Sequence, residues 1–223
     1  MAMGPRMSDT MIKICGLSTP AAVDAALDAG ATHIGLVHYP PSPRHVTVEQ
    51  AQALRARVPA ERKVVLLTVN AEPMLLASAI EAVRPDVLQF HGREAPEWVG
   101  AVRQQLGLEV WKAVGLRDAG TLERARKWVG RVDRLLFDAP AKALPGGNGV
   151  AFDWRLLAEH EHAVPWGLAG GLTPENVQGA IAVTGAELVD TSSGVESAPG
   201  IKDAGLIRAF CEAVRQAAAT RPS

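Results

Sequence analysis

Apolar residues recur along the chain as brief runs rich in Val, Ile and Leu, each followed by a stretch with helical spacing. The runs at 12–15 (IKIC), 33–37 (HIGLV), 63–69 (KVVLLTV) and 86–90 (DVLQF) are strand candidates. So are 109–114 (EVWKAV), 133–138 (DRLLFD), 164–169 (VPWGLA) and 187–191 (ELVDT). None alternates cleanly between polar and apolar, as expected of parallel strands covered on both faces.

The intervening segments carry helix-start signals. In "STPAAVDAALDAG" Ser18 or Thr19 can cap the helix, Pro20 fits its first turn, and Gly30 lies past its end. "LTPENVQGAIAVTG" repeats that grammar with Thr173, Pro174 and Gly185. Further helices are expected near 47–57, 73–83, 95–106, 119–129, 153–160 and 203–219. Strand starts recur at roughly 21 to 31 residues, the size of a βα unit. Eight such units predict a single (β/α)8 TIM barrel over residues 11–220, with a doubly wound open sheet as the alternative. Residues 1–10, "MAMGPRMSDT", lack the apolar region of a secretory signal and read as a disordered or expression-derived N-terminus.

Composition narrows the class. The chain has 223 residues, 48% of them hydrophobic, and a net charge of −1. No block of Lys and Arg offers nucleic acid or an anionic membrane an electrostatic foothold. No apolar run approaches the roughly 20 residues of a membrane span. The two cysteines, Cys15 and Cys211, form no spacing motif, which points to a reduced, cytoplasmic setting without a disulfide. His38 and His45 flank a turn with no third ligand at metal spacing, and His160 and His162, two apart on the expected helix, read as surface residues. Cys211 reads as core packing.

Active sites of such barrels lie at the C-terminal ends of the strands. Those ends carry Cys15, His38 with Arg44 beyond it, Asn70, His91, Gly115, Asp138, Gly170–Gly171 and Ser192–Ser193–Gly194. The glycine and serine loops after strands seven and eight suit a phosphate held by backbone N–H groups, though two tight turns would look similar. Asp138, if buried against apolar neighbours, would stay protonated and serve as a general acid, or it could simply cap a turn. Cys15 could be apolar filler or, with its pKa lowered, a thiolate base, and Lys13 two residues earlier could supply positive potential. Asp190 could orient the last loop. The Pro/Gly-rich segment 139–152, "APAKALPGGNGVAF", is long enough to be functional.

Several stretches together, "KICGL", "GLVHYPPSPRHVTVEQA", "LQFHG.E", "LFDA…PGGNGVAFDW", "LAGGLTPENV" and "VDTSSGVES.PGIKD", resemble phosphoribosylanthranilate isomerase over about residues 11–210. The resemblance implies a cofactor-free, metal-free barrel acting on a small-molecule substrate, N-(5-phosphoribosyl)anthranilate, in the cytoplasm as a monomer or homodimer. It assigns Cys15 as general base and Asp138 as general acid. Arg44 would lie near the anthranilate carboxylate and His91 in the pocket; Gly170, Gly171, Ser192, Ser193 and Gly194 would hold phosphate. Lys13, Asp190 and the loop residues Gly146 and Gly147 complete the expected substrate-binding set. The chain departs from the usual pattern at His38, Pro41, Asn148 and Thr191, which bears on pocket polarity and loop behaviour. The alternatives keep the phosphate grip: a histidine-pathway sugar isomerase, which would use an aspartate where Cys15 stands; a tryptophan-synthase α-type lyase; or a non-catalytic phospho-ligand binder.

Overall fold

The computed structural model describes residues 10–138 and 154–219. The expectations for residues 1–9 and for the 139–152 segment, Gly146, Gly147 and Asn148 included, lie outside the described residues.

Eight parallel strands close into a barrel in chain order. They are β1 Met11–Cys15, β2 His33–His38, β3 Lys63–Thr68, β4 Val87–Phe90, β5 Glu109–Gly115, β6 Arg134–Asp138, β7 Trp166–Ala169 and β8 Leu188–Thr191. The helices are α1 Pro20–Asp28, α2 Val48–Arg55, α3 Pro73–Val83, α4 Pro96–Leu106, α5 Ala119–Ala125, α6 Arg155–Ala158, α7 Val177–Thr184 and α8 Ala204–Ala219. A small hairpin, β9 Glu196–Ala198 and β10 Ile201–Lys202, follows the last barrel strand and was not expected from the apolar pattern.

Local chemistry explains the boundaries. Thr19 caps α1 by accepting from the Ala22 N–H, with Pro20 at the helix start. Thr47 and Gln50 form a reciprocal capping box on α2. Two expectations are corrected. Residues 174–176 form a turn, so α7 begins at Val177 and not after a Thr173 cap. There the Asn176 side chain accepts from the Thr173 N–H and donates to the Gly171 carbonyl, using the segment to build the β7 loop. The expected 153–160 helix is confined to Arg155–Ala158, which leaves His160 and His162 in the connection beyond it. Their rings lie 4.9 Å apart, and His162 is half-buried, stacked on Trp166 and bonded to the Leu157 carbonyl. They are a packing element and not exposed helix positions.

The two faces of each strand divide the core. Ile12 and Ile14 pack outward in the large cluster beneath the helices, whereas Met11, Lys13 and Cys15 of the same strand point into the barrel. Val65, Val87, Trp111, Leu136 and Leu188 fill the interior, and Cys15, Val37 and Leu67 cap it near the mouth. Cys211 is fully buried on α8 and, like Cys15, is a free thiol.

Candidate active site

Above the interior plug the strand ends open into a cavity of about 800 Å³. Cys15, Arg44, His91, Asp138, Gly170, Gly171, Asp190, Ser192, Ser193 and Gly194 all line it. Alternation explains the convergence: Asp138 and Asp190 stand two places beyond the interior residues Leu136 and Leu188, and Cys15 and His91 two places beyond the buried polar residues Lys13 and Gln89. The same rule removes His38, whose neighbours Val37 and Tyr39 take the cavity side. His38 instead lies 5.3 Å from His45, ring to ring, and bonds the Val46 carbonyl. Asn70 also lies off the cavity lining: it accepts from the Arg93 N–H and donates its own N–H to Glu94, fastening one loop to the next.

Lys13 sits under the cavity floor, fully buried, with Nζ 2.8 Å from Asp190 Oδ2. The two residues are register partners across β1 and β8. Burial opposes the lysine charge, but Asp190 and Cys15 outweigh it and hold Lys13 above its ordinary pKa. Burial pushes the Cys15 thiol up, with Asp190 adding to it, while Lys13 and Lys202 pull the other way. The unliganded site therefore holds Cys15 as a neutral thiol beside a cation. Asp190 is also raised by burial, against the pull of Lys13, and its second oxygen has no partner among the described residues. Opposite Cys15, Gly35 is its register partner on β2, and a Cβ there would stand 2.9 Å from Cys15 Cα and 3.2 Å from Sγ. The missing side chain makes the space that the thiol occupies.

Asp138 departs from the expected apolar burial. As the last residue of β6 it stands at the rim, its side chain 36% exposed, with Oδ2 3.4 Å from His91 Nε2. His91 Nδ1 in turn lies 3.4 Å from Gln89 Nε2, so a chain of polar groups runs from inside β4 to Asp138.

The glycine loops are tied together. Gly170 and Gly171 have φ of 82° and 63°, the left-handed region open to glycine. A Cβ on Gly194 would collide with the Leu172 carbonyl. That carbonyl also accepts from Thr191 Oγ1 at 2.7 Å, so the unusual threonine joins the β7 and β8 loops. Ser192 Oγ donates to the Cys15 carbonyl and also meets Lys202 Nζ. With the hydroxyl so engaged, backbone N–H groups remain to meet an anion.

Arg44 is not an open fork. Its Nε and Nη2 each lie 2.7 Å from a carboxylate oxygen of Glu196 on β9. Lys202 on β10 reaches the same carboxylate at 2.6 Å. Glu196 and Lys202 lay inside the motif "VES.PGIKD" without an assigned role, and their spacing alone did not show that they meet Arg44. Gln89 is a third addition; a polar residue two places beyond Val87 on an apolar strand was its available signal. Among the described residues no cluster of three or more His, Cys, Asp or Glu could hold a metal ion.

Comparison with known proteins bears on this constellation. The chain is 65% identical over 208 residues to the N-(5'-phosphoribosyl)anthranilate isomerase of Erythrobacter litoralis, covering 93% of this chain and all of the relative. It superposes with TM-score 0.83, at 31% identity, on a phosphoribosyl anthranilate isomerase solved in complex with reduced 1-(o-carboxyphenylamino)-1-deoxyribulose 5-phosphate, covering 93% of this chain and 99% of that one. A third match, at TM-score 0.82 and 32% identity over 93% of this chain and 99% of the other, is to monomers generated from a dimeric isomerase of Thermotoga maritima. The model of the N-(5'phosphoribosyl)anthranilate (PRA) isomerase family matches residues 12–213, and the chain belongs to that family.

Proposed function

We propose that the protein catalyses the Amadori rearrangement of N-(5-phosphoribosyl)anthranilate to 1-(2-carboxyphenylamino)-1-deoxyribulose 5-phosphate in tryptophan biosynthesis. The observation that carries the assignment is that Cys15 from β1 and Asp138 from β6 open into one cavity whose rim is formed by the glycine loops after β7 and β8.

Phosphate binds the backbone around Gly170, Gly171, Ser192, Ser193 and Gly194, and Arg44 faces the aryl carboxylate. Asp138 gives a proton to the ribose ring oxygen; the C1–O bond breaks as the nitrogen lone pair forms the C1=N bond. Cys15 first loses its thiol proton to solvent. The thiolate then removes the proton from C2, the C2–H electrons form the C1=C2 bond of the enolamine, and the C1=N π electrons return to nitrogen. Loss of the C2 hydroxyl proton and protonation at C1 give the ketone. Each positioned proton transfer contributes roughly 10²–10⁴-fold. Lys13 favours the thiolate against the burial that opposes it. His91 and Gln89 orient Asp138, and Asp190 holds Lys13 in place.

The catalytic unit is one barrel domain, residues 11–220, acting in the cytoplasm as a monomer or homodimer. Among the described residues, no helix is long and apolar enough to cross a membrane. Fluorescence of phosphoribosylanthranilate should decay when the purified protein is added. Absence of turnover would overturn the reading, and an unchanged KM in Arg44→Ala would overturn the carboxylate role.

A further inference from the structure

The β9–β10 hairpin lies outside the barrel and contributes nothing to its closure, yet it brings a buried carboxylate onto Arg44. Glu196, with its side chain 4% exposed, accepts from Arg44 Nε and Nη2, from Lys202 Nζ and from the Gly200 N–H at 3.2 Å. Lys202, 1% exposed, continues to the Ser192 carbonyl at 2.9 Å and to its hydroxyl at 3.2 Å. We infer that Glu196 is a positioning residue for the substrate's aryl carboxylate: it holds one edge of the Arg44 guanidinium so that the other edge faces the cavity, and through Lys202 it joins that grip to the Ser192 loop. The inference rests on the carboxylate role of Arg44 proposed above.

Three features support it. A guanidinium has five N–H groups in a rigid plane; Glu196 uses two, and three remain for a second acceptor. Glu196 is fully engaged by four donors, so it is built to stay in place when a ligand arrives. Burial would push its carboxyl up, yet the hydrogen bonds from Arg44 and Lys202 hold it below the usual value.

The stem of Arg44 is pinned as well. A Cβ on Gly16 would stand 2.5 Å from Arg44 Cδ, and Gly16 follows Cys15 directly. On the other side Gly200, at φ 82°, brings the hairpin turn against the Pro43 carbonyl, where a Cβ would stand 2.5 Å away. Arg44 is therefore clamped between the exit of the Cys15 strand and the hairpin. Two cations and one anion leave one positive charge at the cavity edge, matched to one carboxylate.

The test uses two ligands: the reduced product analogue, and the same compound without its ring carboxylate. The ratio of their Kd values measures carboxylate recognition alone. Glu196→Gln puts an amide N–H where one donor must be accepted; it should cut the ratio about tenfold by weakening only the carboxylated ligand. Arg44→Ala should abolish the ratio, and adding Glu196→Gln to it should change nothing more. If Glu196→Gln misfolds, Glu196→Asp, which keeps the charge but is too short for both contacts, should give a smaller loss of the same kind. An unchanged ratio in the folded variant overturns the inference. So does a raised ratio, because Glu196 would then be a competitor for Arg44, and so does equal weakening of both ligands. A wild-type protein that does not prefer the carboxylated ligand would instead sink the Arg44 assignment beneath it.

Discussion

The two ends of the barrel differ in what their polar side chains meet: an acid at the base is paired within the protein, whereas an acid and an amide at the mouth each keep an oxygen without a partner among the described residues. At the N-terminal end Glu109 accepts from Lys63 at 2.6 Å and from Trp111 Nε1 at 2.7 Å. Arg134 donates to the Trp166 carbonyl and lies over the Trp111 ring. His33 packs beside Trp111, and burial lowers its pKa to about 3, so it is neutral there. At the C-terminal end Asp190 Oδ1 and Gln89 Oε1 are buried without partners among the described residues, and Cys15 is held as a neutral thiol over a lysine. An unmet buried acceptor costs stability and persists where a ligand can meet it. At the base the buried polar atoms without partners among the described residues are the Arg134 Nε donor and the Thr10 hydroxyl, whereas in the mouth they include the acceptors Asp190 Oδ1 and Gln89 Oε1, beside the residues that line the cavity.

Substitutions at the two ends should separate rate from stability. Asp138→Asn should lower kcat by about 10²–10⁴-fold while moving Tm little, because its side chain is at the rim. Glu109→Gln should do the reverse, lowering stability by about 1–3 kcal/mol in denaturant melts with kcat unchanged. A stability loss at Asp138, or a rate loss at Glu109, would dissolve the contrast.

Gly35→Ala tests whether the missing Cβ makes room for the thiol. Displacing Cys15 by a fraction of an ångström should reduce kcat by about tenfold, with phosphate-analogue binding retained. A fully active Gly35→Ala enzyme would show that the thiol's placement is not critical.

Alkylation separates the two thiols. Burial raises Cys15 above its ordinary value of 9.0, so its iodoacetamide reactivity in the unliganded protein should keep climbing with pH without levelling by 9.0. Cys211, raised to about 11 and fully buried, should stay inert. A plateau for Cys15 near neutrality would contradict the neutral resting thiol.

His33 ties the stability of the base to pH. Its folded pKa of about 3 lies below the ordinary 6.5, so on acidification the unfolded chain takes up the proton first. Its contribution is complete above 6.5 and is lost as pH falls from there toward about 3. The associated slope approaches about 1.4 kcal/mol per pH unit, and His33→Gln should flatten it. Equal slopes in wild type and variant would remove His33 from the account.

Much of this was readable from residue order. The strand runs were placed within about two residues because parallel barrel strands are apolar throughout and the helix caps are explicit, as at Thr19–Pro20 and Thr47–Gln50. Cys15, Asp138 and the glycine loops could be named because they stand at strand ends. What sequence could not show depends on contacts between distant segments. Glu196 lies 152 residues from Arg44, and nothing local marks the pair. The β9–β10 hairpin has strands of three and two residues, too short for an alternating pattern. Asp138 looked buried because "LLF" precedes it, but strand position outranks neighbouring hydrophobicity at a barrel rim. Gly35 shows its purpose only when β2 is laid beside β1.

The central claim is that Cys15 moves the proton from C2. Cys15→Ala, saturated with phosphoribosylanthranilate in a single-turnover experiment, tests it most directly when paired with Kd for the reduced product analogue. The account predicts a rate lower by about 10²–10⁴-fold with Kd within about twofold of wild type. A Cys15→Ala enzyme that turns over at the wild-type rate would contradict it.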